Sequence, residues 1–160
     1  MDPWSLTGAA LREPWRLWTG HLAHYGWAHV LANTIALLVP LVLLSPGDRR
    51  RAALALLFLA PALSLVILPR LGAGEYRGAS GLACALWALA GLCLAGRRES
   101  ASTGFLVLVG LALKLGAEAA LGAGLVVRAE GWQTMPAAHL WGTVLGFAWA
   151  LPGALRRQLA

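Results

Sequence analysis

Apolar residues run along this chain in long blocks, not in the alternating or three-and-four rhythm of elements with one wet face. Between polar interruptions such as "SPGDRRR", "PRLGAGEYRG" and "GRRES" lie five stretches, at 26–45, 50–69, 80–96, 103–127 and 134–152. Each approaches the length needed to cross about 30 Å of hydrocarbon. The third is the shortest, about 17 residues or 25 Å at helical rise. With its inner end at one membrane face, its outer end, which opens at Ser80, lies submerged below the other. The first 25 residues hold no such run and lack the order of parts of a secretory signal. They read as an interfacial segment and first loop, with Trp4, Trp15 and Trp18 at headgroup level. The expected architecture is an all-α, polytopic transmembrane bundle forming a single domain over residues 1–160.

Composition agrees with the pattern. The chain is 59% hydrophobic and 12% charged, where soluble domains carry about 25% charged residues. A net charge of +6 would suggest nucleic acid in a soluble protein. Here the arginines stand in short clusters between apolar runs, as topology signals do, so nucleic acid is set aside as a partner and the lipid bilayer takes its place. Cys84 and Cys93 fall within one run, which leaves neither a disulfide framework nor a zinc motif.

Arginine placement orients the bundle. Arg49, Arg50, Arg51, Arg97, Arg98, Arg156 and Arg157 fall on one side, against Asp48 and Glu99. Arg12, Arg16, Arg70, Arg77 and Arg128 fall on the other, against Asp2, Glu13, Glu75 and Glu130. The compact RRR and RR clusters make the first side cytoplasmic and turn the "YRGASG" loop outward.

Three of the four histidines lie in "GHLAHYGWAHVLANTIALL": His21, His24 and His29, with Asn33 four residues beyond His29 and so on the same helical face. The fourth, His139, lies a few residues inside the last run, about 7 to 9 Å in at helical rise. The first, third and fifth runs enter from the same side, which brings His29, Ser80 and His139 to similar depth. Polar side chains inside apolar spans are costly unless they face one another or water, so their coincidence points to a site. Acyl transfer fits it. Ser80 would be the nucleophile at a helix start, His139 its general base, and His29 with Asn33 the donors to a developing oxyanion. Gly142, Gly146 and Ala150, at four-residue spacing, form a small-residue stripe that admits a close partner helix. The Gly-flanked start of the third run is the natural candidate.

These segments resemble a known family. "EPWRLWTGHLAHYGWAHVLANTIAL" is similar to the first loop and second membrane helix of rhomboid intramembrane serine proteases, with a WR pair at Trp15 and Arg16 and the HxxxxHxxxN pattern at His24, His29 and Asn33. "GASG" resembles their GxSG, and "AHLWGTVLGFAWA" their AHxxGxxxG helix. The resemblance implies a Ser80–His139 dyad, an oxyanion site from His29, Asn33 and the Ser80 N–H, a supporting role for His24, and close helix packing through Gly78, Gly81, Gly142 and Gly146. It implies no cofactor or metal, a bacterial inner membrane, and an active site toward the outer side. Size and local wording are most similar to the rhombosortase branch, which implies substrates with a single apolar helix preceded by Gly-Gly and followed by a basic tail. The family core has six spans and five are legible, the one before "EPWR" being missing. Cys84 stands where many relatives carry an aromatic residue or histidine beside the catalytic histidine.

Other readings of the same residues stay open. His24 and His29 could be buried hydrogen-bonding histidines, and His21 reads as interfacial. Lys114 and Glu118, one turn apart in the fourth run, read as an intramembrane ion pair in mid-bilayer, away from Ser80. Their sharper alternatives are a Ser–Lys dyad or the proton path of a small carrier. No Asp is placed to complete a triad. A protease-inactive binder of membrane helices would share every motif except a working nucleophile.

Overall fold

A computed structural model describes residues 2–122 and 135–158, with side chains through Pro152. Arg128, Glu130, the end of the expected fourth span, and the side chains of Arg156 and Arg157 lie outside the described residues. Among the described residues are six α-helices and no strand. They are α1 (Arg16–Thr19), α2 (Trp27–Leu43), α3 (Pro46–Ile67), α4 (Ser80–Ala95), α5 (Ala101–Leu121) and α6 (Pro136–Gln158). The all-helical bundle expected from the apolar blocks is therefore what the chain forms.

The helix faces invert the soluble pattern. On α2 the buried residues are His29, Asn33 and Pro40, while Leu31, Ile35, Leu38 and Val42 point outward. Leu54, Leu57, Phe58 and Leu65 on α3, and Phe105, Leu106 and Leu113 on α5, are also exposed. An apolar outside, with the polar side chains of α2 turned inward, suits lipid as the solvent. The stretches Pro46–Arg70 and Arg98–Leu121 are each long and apolar enough to cross a membrane, and α2 and α4 are shorter apolar helices.

The centre of the bundle is α4. Twelve of its sixteen residues are buried, and it touches α2, α3, α5 and α6. Alanine, glycine and cysteine supply half of those sixteen positions or more, so neighbouring backbones can close in from all sides. The tightest approach is to α6. A β-carbon on Gly142 would fall on the Gly81 carbonyl oxygen, and one on Gly146 on that of Ala85. The stripe that the spacing of Gly142 and Gly146 predicts is thus filled by α4.

Polar contacts fasten the ends. At the basic end, Ser45 caps α3 and its hydroxyl meets Asp48 at 2.9 Å. Arg97, just past α4, donates to both, at 2.8 Å to Ser45 and 2.5 Å to Asp48. Arg51 donates to the Trp149 carbonyl at 2.7 Å, tying α3 to α6. At the opposite end the segment before α2 folds back on the bundle. Leu6 and Tyr76 exchange backbone hydrogen bonds of 3.0 and 2.9 Å, and the Gly78 N–H donates to the Gly20 carbonyl at 3.0 Å. Arg16, of the WR pair, pairs with Glu13 and donates to the Ser5 carbonyl at 2.9 Å. Trp4, Trp15 and Trp18 are exposed.

His21 departs from the interfacial place expected for it. It is 2% exposed, and its Nε2 lies 3.0 Å from both the Ala60 carbonyl and the Ser64 hydroxyl of α3. The loop closes over α3, where Ser64 also donates to the Leu17 carbonyl at 2.8 Å. Burial pulls the His21 imidazole down to about 4, against the opposing pull of the Ala60 carbonyl.

Candidate active site

Ser80 is the first residue of α4 and is only partly buried. Its side chain sits where the first backbone N–H groups of a helix have no partner within the helix. His139 begins the second turn of α6, three residues before Gly142, and is 5% exposed. The close α4–α6 packing brings the two together, with Ser80 Oγ 2.8 Å from His139 Nε2. A hydroxyl and an imidazole nitrogen at that separation are hydrogen-bonded, with the donor set by the imidazole tautomer.

His29 and Asn33 border the same loop. A β-carbon at Gly78 would lie 2.7 Å from His29 Nε2 and 3.2 Å from Asn33 Nδ2, and Gly78 has a φ of +113°. Both the backbone conformation and the crowding demand glycine there. Asn33 is 4% exposed, and its Nδ2 has no hydrogen-bond partner among the described residues. A buried donor without a partner costs free energy, and it can be met by an ordered water, an ion or a ligand that brings an acceptor. The Tyr76 hydroxyl turns toward the Ser80 side chain and the Gly81 backbone without forming a hydrogen bond of good geometry; burial pushes this phenol up. Gly81 lies against the Ala138 carbonyl, 2.8 Å from where a β-carbon would be.

His24 supports the rim of this region. Its Nδ1 holds the Leu22 carbonyl at 2.8 Å, its ring meets His29 edge-on at 4.9 Å, and Tyr25 stacks on the other side of His29 at 5.9 Å. Arg77 lies over the Tyr25 ring at 4.9 Å and bonds Glu75 at 2.6 Å. Burial works against the Glu75 carboxylate, but its bonds with Ser5 and Arg77 outweigh it and hold the group below its ordinary range. Cys84 packs with Ala88 and Leu111 in an apolar cluster that includes Phe147 and Leu115.

Lys114 and Glu118 require a correction. They form the expected pair, at 2.8 Å, but not at a separate depth from Ser80. Glu118 Oε2 lies 2.7 Å from His139 Nδ1, and Lys114 Nζ lies 3.1 Å from the same nitrogen. The reason is length. Ser80 stands about 22 Å along α4 from its basic end, while Lys114 and Glu118 stand about 20 and 25 Å along α5 from the same end. A carboxylate thus meets the histidine although no Asp could. One signal in the sequence pointed to it. Gly104, Leu111 and Glu118, the buried residues of α5, recur every seven positions, which puts the acid on the stripe that faces the bundle.

No group of three or more metal-binding side chains occurs among the described residues. Comparison with curated proteins and with solved structures returned no match. A family model described as the rhomboid domain matches residues 11–156. That span takes in Ser80, His139 and every residue gathered around them, and the chain belongs to the rhomboid family of intramembrane serine proteases.

Proposed function

We propose that this protein cleaves the membrane-embedded or juxtamembrane part of other proteins' helices, with Ser80 as nucleophile and His139 as general base. The observation that carries this reading is the 2.8 Å contact between Ser80 Oγ and His139 Nε2 at the mouth of α4. In the first half-reaction the Oγ–carbonyl bond forms while the hydroxyl proton passes to Nε2. The tetrahedral oxyanion meets His29, Asn33 and the Ser80 N–H. Collapse breaks the C–N bond, and His139 returns its proton to the leaving amine. Water then enters the partly exposed side of Ser80 and His139 repeats the cycle to release the acyl group.

We infer a bacterial inner membrane, with the basic end of the bundle in the cytoplasm and the Ser80 end toward the periplasmic side; the arginine clusters support that orientation. The substrates we infer are the rhombosortase type, proteins ending in Gly-Gly, one apolar helix and a basic tail. That substrate class rests on the sequence resemblance; Gly78 and Gly81 themselves let His29, Asn33 and the Ala138 carbonyl pack close beside Ser80. Co-expression with a reporter carrying such an end tests the reading. Cleavage by wild type, lost in both Ser80→Ala and His139→Ala, supports it. An enzyme that leaves this reporter whole while cutting other membrane helices refutes the substrate class. A reporter cut equally by all three proteins refutes the mechanism. A proton carrier using Lys114 and Glu118 is disfavoured, since both side chains are engaged with His139.

A further inference from the structure

We infer that Glu118 is a positioning residue that selects the tautomer of His139, making the site a Ser–His–Glu arrangement in which Lys114 neutralises the acid. The inference rests on the proposed roles of Ser80 and His139 and adds to them. An imidazole Nδ1 offers either one N–H or one lone pair, never both. Two groups compete for it here, the Glu118 carboxylate at 2.7 Å and the Lys114 ammonium at 3.1 Å. An ionised carboxylate only accepts, so it selects the tautomer with the proton on Nδ1. An ammonium only donates, so it selects the opposite one.

The difference decides the chemistry. With the proton on Nδ1, Nε2 presents a lone pair to Ser80 and can take its proton. With the proton on Nε2, the ring donates to the Ser80 oxygen and is no base. Glu118 has the shorter contact, and its side chain is 2% exposed, against 27% for Lys114. Lys114 spends a donor on the other carboxylate oxygen at 2.8 Å, which lets Glu118 remain ionised in an apolar setting at no net charge. During attack Ser80 loses its proton to Nε2, the imidazolium forms, and Glu118 stabilises it through the Nδ1–H bond without itself taking the proton. The same bond holds the ring in place for Ser80.

Glutamine at 118 keeps the size, and with its amide oxygen accepting from Lys114, as Glu118 Oε1 does, its NH₂ turns to Nδ1 as a donor, so Glu118→Gln favours the wrong tautomer. The rate of labelling by a fluorophosphonate should fall by up to about 10⁴-fold, the loss that follows when the orienting carboxylate of a serine protease triad becomes an amide. Glu118→Asp keeps the charge and should keep more of the rate than the amide. With four histidines in the chain, nitrogen NMR of ¹⁵N-histidine-labelled protein reads the tautomer directly, with His139 assigned from His139→Ala. We expect the proton on Nδ1 in wild type and on Nε2 in Glu118→Gln. A merely structural role for Glu118 would lower the rate without moving the tautomer. A wild-type His139 protonated on Nε2 overturns the inference even if the glutamine variant does not fold. So does an unchanged tautomer in that variant, or a labelling rate within about threefold of wild type. Ser80→Ala separates the two levels. If it still labels, the proposed nucleophile fails; if it does not label while Glu118→Gln labels normally, only the role of Glu118 fails.

Discussion

Replacing Gly142 with alanine adds one methyl group at the tightest contact in the bundle. The new β-carbon would stand 2.7 Å from the Gly81 carbonyl carbon and closer still to its oxygen, where ordinary contact begins at 3.4 Å. The neighbour is backbone and cannot rotate away, so α6 must move off α4 by more than about 0.7 Å: that much clears the carbonyl carbon, and the nearer oxygen requires more. His139 lies three residues before Gly142 on the same helix face and travels with it. The 2.8 Å bond to Ser80 then lengthens past about 3.5 Å, out of hydrogen-bonding range. Misplacement on this scale costs about 10²-fold in rate, and the overpacking itself about 1–3 kcal/mol of stability. Gly110→Ala makes the matched control. Gly110 is exposed on α5 with nothing within 4 Å of the added carbon, and alanine is the better helix former by about 1 kcal/mol. Thermal melts in detergent and fluorophosphonate labelling rates should therefore move down for Gly142→Ala, while Gly110→Ala leaves the rate unchanged and the melting temperature equal or higher. A Gly142→Ala protein that melts and labels like wild type would refute the claim that close α4–α6 packing sets the Ser80–His139 distance.

Asn33→Ala removes a donor whose Nδ2 is unspent in the resting protein, so reporter cleavage should fall about 10²- to 10³-fold in kcat with little loss of melting temperature. A stability loss with normal turnover would make Asn33 a packing residue instead. Arg97→Ala strips a charged donor from buried Asp48 and from the α3 cap, and should cost about 1.5–3 kcal/mol in a melt while the folded fraction labels at the wild-type rate. Acid should weaken the fold through His21. Its imidazole sits near 4 when folded and near 6.5 when unfolded, so the unfolded chain binds the proton first. Stability present above pH 6.5 is lost at about 1.4 kcal/mol per pH unit until the folded imidazole charges near pH 4. His21→Asn should flatten that slope, and an equal slope in both proteins would refute the assignment.

The fold class was legible because apolar blocks of span length leave few alternatives once every backbone group must be satisfied in lipid. The meeting of Ser80 and His139 was legible for a related reason. Helices that enter from one side put their first turns at one depth, and the small-residue stripe on α6 named a partner. The role of Glu118 was hidden by two assumptions, that a charged pair far along a long helix sits apart from a short helix's start, and that the third residue should be Asp. Counting both helices from the basic end removes the first. His21 was misplaced because loop residues default to the surface, and nothing in its neighbours signals that Ser64 and the Ala60 carbonyl of α3 wait beneath it. Which carbonyl a histidine will meet depends on how the loop folds back, and local pattern carries no record of that.

The most direct measurement is to treat detergent-solubilised protein with a fluorophosphonate, digest it, and locate the adduct by mass spectrometry in wild type, Ser80→Ala and His139→Ala. The account predicts a phosphonyl group on Ser80 in wild type alone, with neither variant labelled at comparable time. An adduct elsewhere in the chain, or undiminished labelling of Ser80 without His139, would contradict it.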